Sequence, residues 1–594
     1  MKNRTSGIIP WKRRLCNGIT WLNIAGLSLG LTGILLLSFW IINELSYDRF
    51  HKDHRNIYRV ESLVNFGGEQ MVWHVVPAPT AGALKRDFQE VTESVAMQKG
   101  YNPVLRVGNE VFNEANLYFS GPTFFDLFSF RLLAGDPENV LSDPYSVVIS
   151  ESVAERFFGN TVPLGKTLLL DNKQLLTITG ILEDTPSNSH LKIDYLVPFS
   201  LLEEKGRNLE KWGNIDYITY IKLADNVNPE QFNRKIGGYL EDKNMFGTAT
   251  LFINPLDRIH LYNDPGFENF STGQNGRGPI TRVIFFGLTG MLILILACIN
   301  FINLATATAA GRARETGIRK VAGAGRADLM LRMFGESVLQ TLVATAIAFL
   351  LAVLLAPLFE RISGIEITEG KILNLKNITF SLVLMFITGL LAGTYPALVL
   401  SSFSPVRVLR PSLNSSPDGS RLRKALVIFQ FVLTVIFVFS ITVMSRQIHF
   451  MQNKKLGFDT EGIMVITLSR GTGDEANYDA LMSELRSIAA VEAVAMGGGI
   501  PVNMGNFNTF SKWTGNETDK SLKFHMLQVD DDYLDLLGLE IVSGRPITRV
   551  GYNDEVVINQ TAARQMDMED PVGKLIAGNG KTYTIVGVVK DFYF

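Results

Sequence analysis

Few residues in this 594-residue chain have the types and spacing that chemistry needs. Gly578-Asn579-Gly580-Lys581-Thr582 ends like a phosphate-binding loop, in which glycine amides cradle phosphate and a lysine neutralises it. The complete pattern requires glycine at position 575, where Leu575 stands. Asp171-Asn172-Lys173-Gln174 has the composition of a hairpin turn. The triplet Asp530-Asp531-Asp532 lacks the glycine and distal glutamate of a calcium loop, so a solvated turn is expected. The seven histidines are scattered. His51 and His54 are the closest, in a charged stretch, and read as solvated side chains instead of metal ligands. Cys16 and Cys298 cannot form a disulfide framework or a multi-cysteine metal site. No nucleophile elbow or cysteine–histidine constellation occurs. The chain is therefore expected to be no enzyme, with no catalytic, cofactor-binding or metal-binding residues of its own.

The elements around these residues are dominated by apolar runs. Mean hydropathy is +0.16 and charged residues make up 19%, less charge than an average soluble protein carries. The formal net charge of -2 argues against a nucleic-acid partner. A helix needs about 20 predominantly apolar residues to cross a hydrocarbon core. Five runs meet this, charge-free over Leu15–Asn43, Val283–Ala310, Ser337–Phe359, Asn377–Pro405 and Ala425–Ser445. The first exceeds a signal-peptide core and shows no small-residue cleavage site, so it reads as an anchor. The runs hold no Asp, Glu, Lys, Arg or His, which argues against a proton-driven transporter.

Orientation follows the lysines and arginines at the helix ends. Lys2, Arg4, Lys12, Arg13 and Arg14 put the N-terminus in the cytoplasm. Basic residues also crowd the segments 311–336 and 406–424. The predicted layout is a cytoplasmic N-terminus 1–14, helix 15–43, external domain 44–281 and helix 282–310. The cytoplasmic segment 311–336 follows, then helices 337–359 and 377–405, the cytoplasmic link 406–424, helix 425–445 and a second external domain 446–594. In the first domain, Val147–Ile149, Leu175–Thr179 and Tyr217–Leu223 read as strands. Asn228–Leu240 reads as a helix opened by Asn-Pro.

The two external domains repeat each other. Phe125-Asp126-Leu127-Phe128 with Gly135 and Pro137 returns as Leu534-Asp535-Leu536-Leu537 with Gly544 and Pro546. Val147–Ser150 returns as Val556–Asn559, Pro163–Lys166 as Pro571–Lys574, and Thr177–Asp184 as Thr584–Asp591. Conserved order at nearly constant spacing implies a tandem unit of helix, outside domain and helices. The fold class is a multi-pass α-helical membrane protein with two large α/β (α+β) extracytoplasmic domains. Extrapolating the second unit predicts a full protein of roughly 800 residues with about eight helices, and hence that this chain stops short at its C-terminus.

Four segments resemble the MacB/FtsX type of ABC transporter permease. Tyr47-Asp48-Arg49-Phe50-His51-Lys52 with Ile57-Tyr58-Arg59-Val60 looks like the start of that family's MacB-like periplasmic core domain. Arg314-Glu315-Thr316-Gly317-Ile318-Arg319-Lys320-Val321-Ala322-Gly323-Ala324 resembles the segment after its second helix. Gly393-Thr394-Tyr395-Pro396-Ala397-Leu398 with Ser404-Pro405-Val406, and Leu456-Gly457-Phe458-Asp459, are similar to later parts. By itself the basic segment, continued at helical spacing by Leu329, Met330, Met333 and Phe334, suits a short amphipathic helix along the membrane face. A basic flank that fixes topology explains it equally well. The resemblance implies a coupling helix that docks on a separate cytoplasmic ABC ATPase, which carries the ATP and magnesium. Arg314, Glu315, Gly317, Ile318, Arg319, Lys320 and Gly323 would form that contact.

The resemblance further implies the bacterial inner membrane, mechanotransmission to periplasmic domains, and export of an amphiphilic lipoprotein, peptide or drug, with a periplasmic adaptor as a further partner. Two alternatives remain open: an FtsX-like regulator of a cell-wall hydrolase, and a membrane signalling receptor.

Overall fold

The computed structural model describes residues 18–66, 69–100, 103–108, 110–113, 116–159, 161–243, 248–262, 280–307, 318, 320–322, 324–364, 375–402, 417–468, 475–501, 507–516, 522–548, 554–578 and 581–593. Five long helices carry the apolar runs: α1 Gly18–Leu45, α2 Ile280–Ala307, α3 Arg326–Ser363, α4 Leu375–Ser402 and α5 Pro417–Asn453. Among the described residues, α1, α2, α3 and the Arg423–Asn453 part of α5 are long and apolar enough to cross a membrane. The Ile378–Leu391 stretch of α4 is a shorter apolar helix by the same measure.

Small residues let these helices approach. A Cβ on Gly26 would lie 2.7 Å from Asn300 Nδ2, and one on Gly30 2.8 Å from Ala297 Cβ. The pair is a small-xxx-small seam, through which backbones come close enough for dispersion to hold them in lipid. Ala344, Ala348, Ala352 and Ala356, one turn apart on α3, are buried with Leu27, Leu31 and Leu35 of α1. By contrast α5 leaves Phe431, Val435, Phe439 and much of its remaining apolar surface exposed.

The apolar continuation of the expected amphipathic segment is part of the third span, while most of residues 314–323 lie outside the described residues. Leu329–Phe334 belongs to the 38-residue α3. Asp328 Oδ2 accepts from the Gly325 N–H at 3.3 Å where α3 begins. From there to Ser363 the only proline is Pro357, which lies inside the helix. Nothing between residues 326 and 337 breaks the turn, so the polar segment winds straight into the apolar one.

Among the described residues the first α/β domain holds fourteen strands: β1 Ile57–Phe66, β2 Glu69–Trp73, β3 Val76–Pro77, β4 Val91–Lys99, β5 Val104–Val107, β6 Glu110–Asn113, β7 Leu117–Ser120, β8 Leu132–Ala134, β9 Ser146–Ser150, β10 Thr167–Leu170, β11 Gln174–Leu182, β12 Tyr195–Pro198, β13 Ile215–Leu223 and β14 Thr248–Pro255. Their main path runs β14-β1-β13-β4-β7-β12-β9-β11-β10-β5-β6. The chain's incoming strand β1 and outgoing strand β14 are thus antiparallel neighbours, registered from Tyr58↔Pro255 to Asn65↔Thr248. The helix Pro229–Ile236 is shorter than its expected range, but Asn228 caps it as the sequence indicates, Oδ1 accepting from the Glu230 and Gln231 amides.

The second domain holds β15 Phe507–Trp513, β16 Leu522–His525, β17 Ile541–Gly544, β18 Glu555–Asn559, β19 Leu575–Gly578 and β20 Lys581–Val589. Here β18 pairs parallel with β20, as β9 does with β11. Hairpin β19–β20 matches hairpin β10–β11. Gly135 at φ 104° faces the Thr179 carbonyl, and Gly544 at φ 82° faces that of Val586. Asp184 Oδ1 accepts from the Ser152 amide and Asp591 Oδ1 from the Thr561 amide, each at the start of a short helix. The repeated sequence segments thus share local geometry.

Candidate functional site: the junction of membrane helix and external domain

The buried polar side chains nearest the end of α1 form two clamps. Helix α1 runs to Leu45, two residues beyond its expected end at 43, and so contains Glu44. Burying a carboxylate requires a partner, and Glu44 Oε2 finds His260 Nε2 at 2.8 Å. Both side chains are at most 8% exposed. The Tyr47 ring stacks on His260 with centroids 3.4 Å apart. Burial, then the charges of Glu44 and Asp48, push the Tyr47 hydroxyl up to about 12.

The second clamp is Asp48. Its backbone sits at φ 59°, a left-handed conformation that aspartate tolerates better than most residues. Its side chain is fully buried. Its amide donates to the Asn188 carbonyl at 2.9 Å. Its carboxylate accepts from the His190 amide at 3.0 Å and lies 2.8 Å from His190 Nδ1. His190 Nε2 in turn meets the Tyr220 hydroxyl at 2.7 Å, on interior strand β13. Asn188 Nδ2 also donates to the Ser46 carbonyl at 3.0 Å. The linker after α1 is therefore tied to segments that lie more than 140 residues away in sequence.

His51 corrects an expectation. It is not solvated but 1% exposed, ringed by Phe50, Phe128 and Phe130. Its Nδ1 accepts from the Ser129 amide at 3.1 Å. The local run of charges hid a burial made by aromatic residues from a distant segment. Burial pushes its pKa from 6.5 down to about 4, against the opposing pull of Asp48. Unfolded, the ring takes up a proton as pH falls through about 6.5, while the folded ring resists until about 4. The junction should therefore lose stability across that window, by up to about 3 kcal/mol. Hydrogen exchange of residues 46–56 at pH 7.5 and 4.5 measures it, and His51→Phe should flatten the difference.

The other candidate chemistry lies apart from this junction. Gly578 pairs with Lys581 across a hairpin, and Asn579 and Gly580 fall outside the described residues. Asp530 Oδ2 accepts from the Met496 amide at 2.7 Å and Asp532 Oδ2 from Arg486 at 2.5 Å. Protein donors thus already answer part of that triplet's charge, although its carboxylates come within 4.8 Å of one another. Of the coupling residues, Arg314, Glu315, Gly317, Arg319 and Gly323 lie outside the described residues. Ile318 is exposed, its carbonyl accepting from the Ala322 amide at 3.0 Å in a single turn. Lys320 is half-buried. Glu44, His190 and His260 carry no local signature, and their partners become visible only in the fold. The Tyr47–Lys52 motif was the one available pointer.

A long apolar helix clamped into a large α/β domain, beside further helices long enough to span, defines a membrane protein with an external domain. The MacB-like periplasmic core domain family matches residues 20–239 and 428–594. The FtsX-like permease C-terminal family matches residues 287–405. The chain belongs to the MacB/FtsX-type permeases of ABC transporters. It is similar to the macrolide export ATP-binding/permease protein MacB of Aggregatibacter actinomycetemcomitans, 25% identical over 358 residues, 58% of this chain and 51% of that protein. The protein of the same name from Neisseria meningitidis serogroup A is 26% identical over 228 residues, 38% of this chain and 33% of its own length. The chain thus spans about half or less of these curated relatives. A solved periplasmic region of MacB from Actinobacillus actinomycetemcomitans overlaps 34% of this chain and 90% of its own, at 22% identity and a TM-score of 0.26.

Proposed function

We propose that this chain is the membrane-spanning subunit through which a separate cytoplasmic ABC ATPase moves periplasmic domains to export or extract an amphiphile, a lipoprotein, peptide or drug. The observation that carries the reading is the double clamp of Glu44 to His260 and Asp48 to His190. A displacement of α1 cannot be absorbed by a slack linker and must enter the domain. The family matches support the permease class, and the name of the relatives brings macrolide-like drugs among the substrates to test.

In this reading the N-terminus and the segment 311–336 are cytoplasmic. Glu315, Arg319 and Lys320 make charged contacts with the ATPase, Gly317 and Gly323 permit close approach, and Arg314 and Ile318 complete the surface. Leu329–Phe334, at the end of that segment, belong to α3, so a push that reaches them is a push on a membrane helix. The matched glycine turns and capping aspartates of the two domains support a tandem duplication, each unit supplying one half of the membrane part.

The test is a gentle-detergent pull-down of the full-length protein. A stoichiometric Walker-type ATPase should co-purify and be lost, at least about tenfold, on Arg319→Glu with Lys320→Glu, as expected when charged contacts become repulsive. Unchanged co-purification and transport in that variant would remove the coupling assignment. A cell-wall hydrolase in place of the ATPase would move the chain to a regulatory role.

A further inference from the structure

We propose that a cationic pocket in the first α/β domain binds an anionic amphiphile, a carboxylate or phosphate head carried on a short apolar body. The cavity, about 400 Å³, falls within the range of small-molecule sites. It lies between the end of β4, the β10–β11 hairpin and the turn after the helix Ser200–Glu204. Lys99, Lys173, Lys205 and Arg207 line it, and Asp171 is the one carboxylate on its lining.

Two of these cations, Lys99 and Lys173, have no carboxylate partner among the described residues. Lys99 is half-buried, and among the described residues it has no carboxylate within ion-pairing distance. Its described neighbour is the Tyr118 ring, 6.0 Å from Nζ. Burial holds its pKa below the usual lysine range, the cost of an ammonium short of water and of a counter-charge. Lys173, exposed at the rim, likewise has no carboxylate partner among the described residues. Lys205 Nζ shares Asp171 at 3.3 Å and lies 5.7 Å from the Phe119 ring centre. Arg207 reaches Gln98 Oε1 at 3.1 Å and Asp216 at 3.6 Å.

Between the cations the wall is apolar, formed by Phe119, Leu170 and Leu202. A bare anion would leave this wall wet, and a cationic amphiphile would be repelled from it. Charge and wall are satisfied together only by an anion with an apolar body. The inference names the chemical class for the amphiphile of the proposed function and rests on that reading. The two fail separately, because the assay below contains no ATPase and the ATPase pull-down contains no added anion.

The experiment is lysine protection on the full chain in lipid nanodiscs, with an amine-acetylating reagent and mass spectrometry. Octanoate at about ten times its half-protecting concentration should slow acetylation of Lys99 and Lys173 about tenfold, as site occupancy requires. Exposed Lys512 of the second domain should be unaffected. Lys99→Gln with Lys173→Gln, read at Lys205, should raise the half-protecting concentration at least about tenfold, since charge-assisted contacts are lost. Inorganic phosphate and octyltrimethylammonium at the same concentration should protect weakly or not at all. Equal protection by phosphate overturns the amphiphile assignment in favour of a bare-anion patch. Equal protection by octyltrimethylammonium, equal slowing at Lys512, or no protection by octanoate also overturns it.

Discussion

Replacing Arg59 by methionine is expected to destabilise the first α/β domain by about 3–5 kcal/mol, because it strands a buried carboxylate. For a domain of this size that lowers the melting temperature by about 10 °C. Residues two apart on a strand share a face, so Arg59 and Glu61 of β1 meet inside the sheet, 1% and 2% exposed. Arg59 Nε donates to Glu61 Oε1 at 2.8 Å, and Asn254 of β14 donates to the same oxygen at 3.1 Å. His74 Nδ1 lies 3.2 Å from that oxygen. Burial alone would raise the Glu61 pKa, but Arg59 and His74 outweigh it and bring it to about 2. In the native chain, stability from Glu61 is present above its unfolded pKa near 4.5 and is lost as pH falls toward about 2. In Arg59→Met the carboxylate loses that support, so the deficit should shrink as acid protonates it. Arg59→Met with Glu61→Leu should recover most of the loss, since an apolar pair replaces a buried ion pair at little net cost. Thermal unfolding and hydrogen exchange of β1 and β14 measure all three. If the single and double variants melt together, the ion pair does not carry the stability assigned to it.

Asp48→Ala should speed hydrogen exchange at the His190 amide about 100-fold, equivalent to roughly 3 kcal/mol of lost local stability. The substitution removes the acceptor of the His190 amide and places alanine at φ 59°. Asp48→Asn, which keeps an acceptor and tolerates the left-handed backbone, should fall between. On the proposed function, Asp48→Ala keeps its ATPase partner and loses transport, whereas charge reversal at Arg319 and Lys320 loses the partner and leaves the clamp intact. Asp48→Ala with full transport would show that the clamp stabilises the domain without transmitting motion.

What the sequence disclosed follows from the range of the interactions. Apolar runs of twenty and more residues are local facts, and so are the Asn-Pro start of the 229–236 helix and the Asp171–Gln174 turn, where Asp171 and Asn172 take positive φ. The repeat disclosed equivalent strands because each strand brings its own alternation. Contacts between distant segments left no local trace. Glu44 looked like the charge that ends a membrane run, yet it is buried on a histidine 216 residues away. His51 sits in a charged stretch, and Phe128 and Phe130, which enclose it, come from a segment 77 or more residues later. The start of α3 at Arg326, ahead of the charge-free run from Ser337, is hidden for another reason. A change from polar to apolar composition looks like a change of element, but an α-helix stops only where its backbone is broken or capped.

The pairing of β1 with β14 gives the first domain a directional compliance. The two strands continue from α1 and toward α2, and their registered pairs run from Tyr58↔Pro255 outward to Asn65↔Thr248. If one helix slides along its axis against the other, the whole ladder is loaded in shear and its hydrogen bonds resist together. If the helix ends are drawn apart sideways, the same ladder is loaded at its near end and opens like a zip, one rung at a time. On the proposed function, this ladder resists a piston stroke and yields to a splay, so a sliding load on its two strands is borne by all its rungs together while a lateral one is spent at the near end.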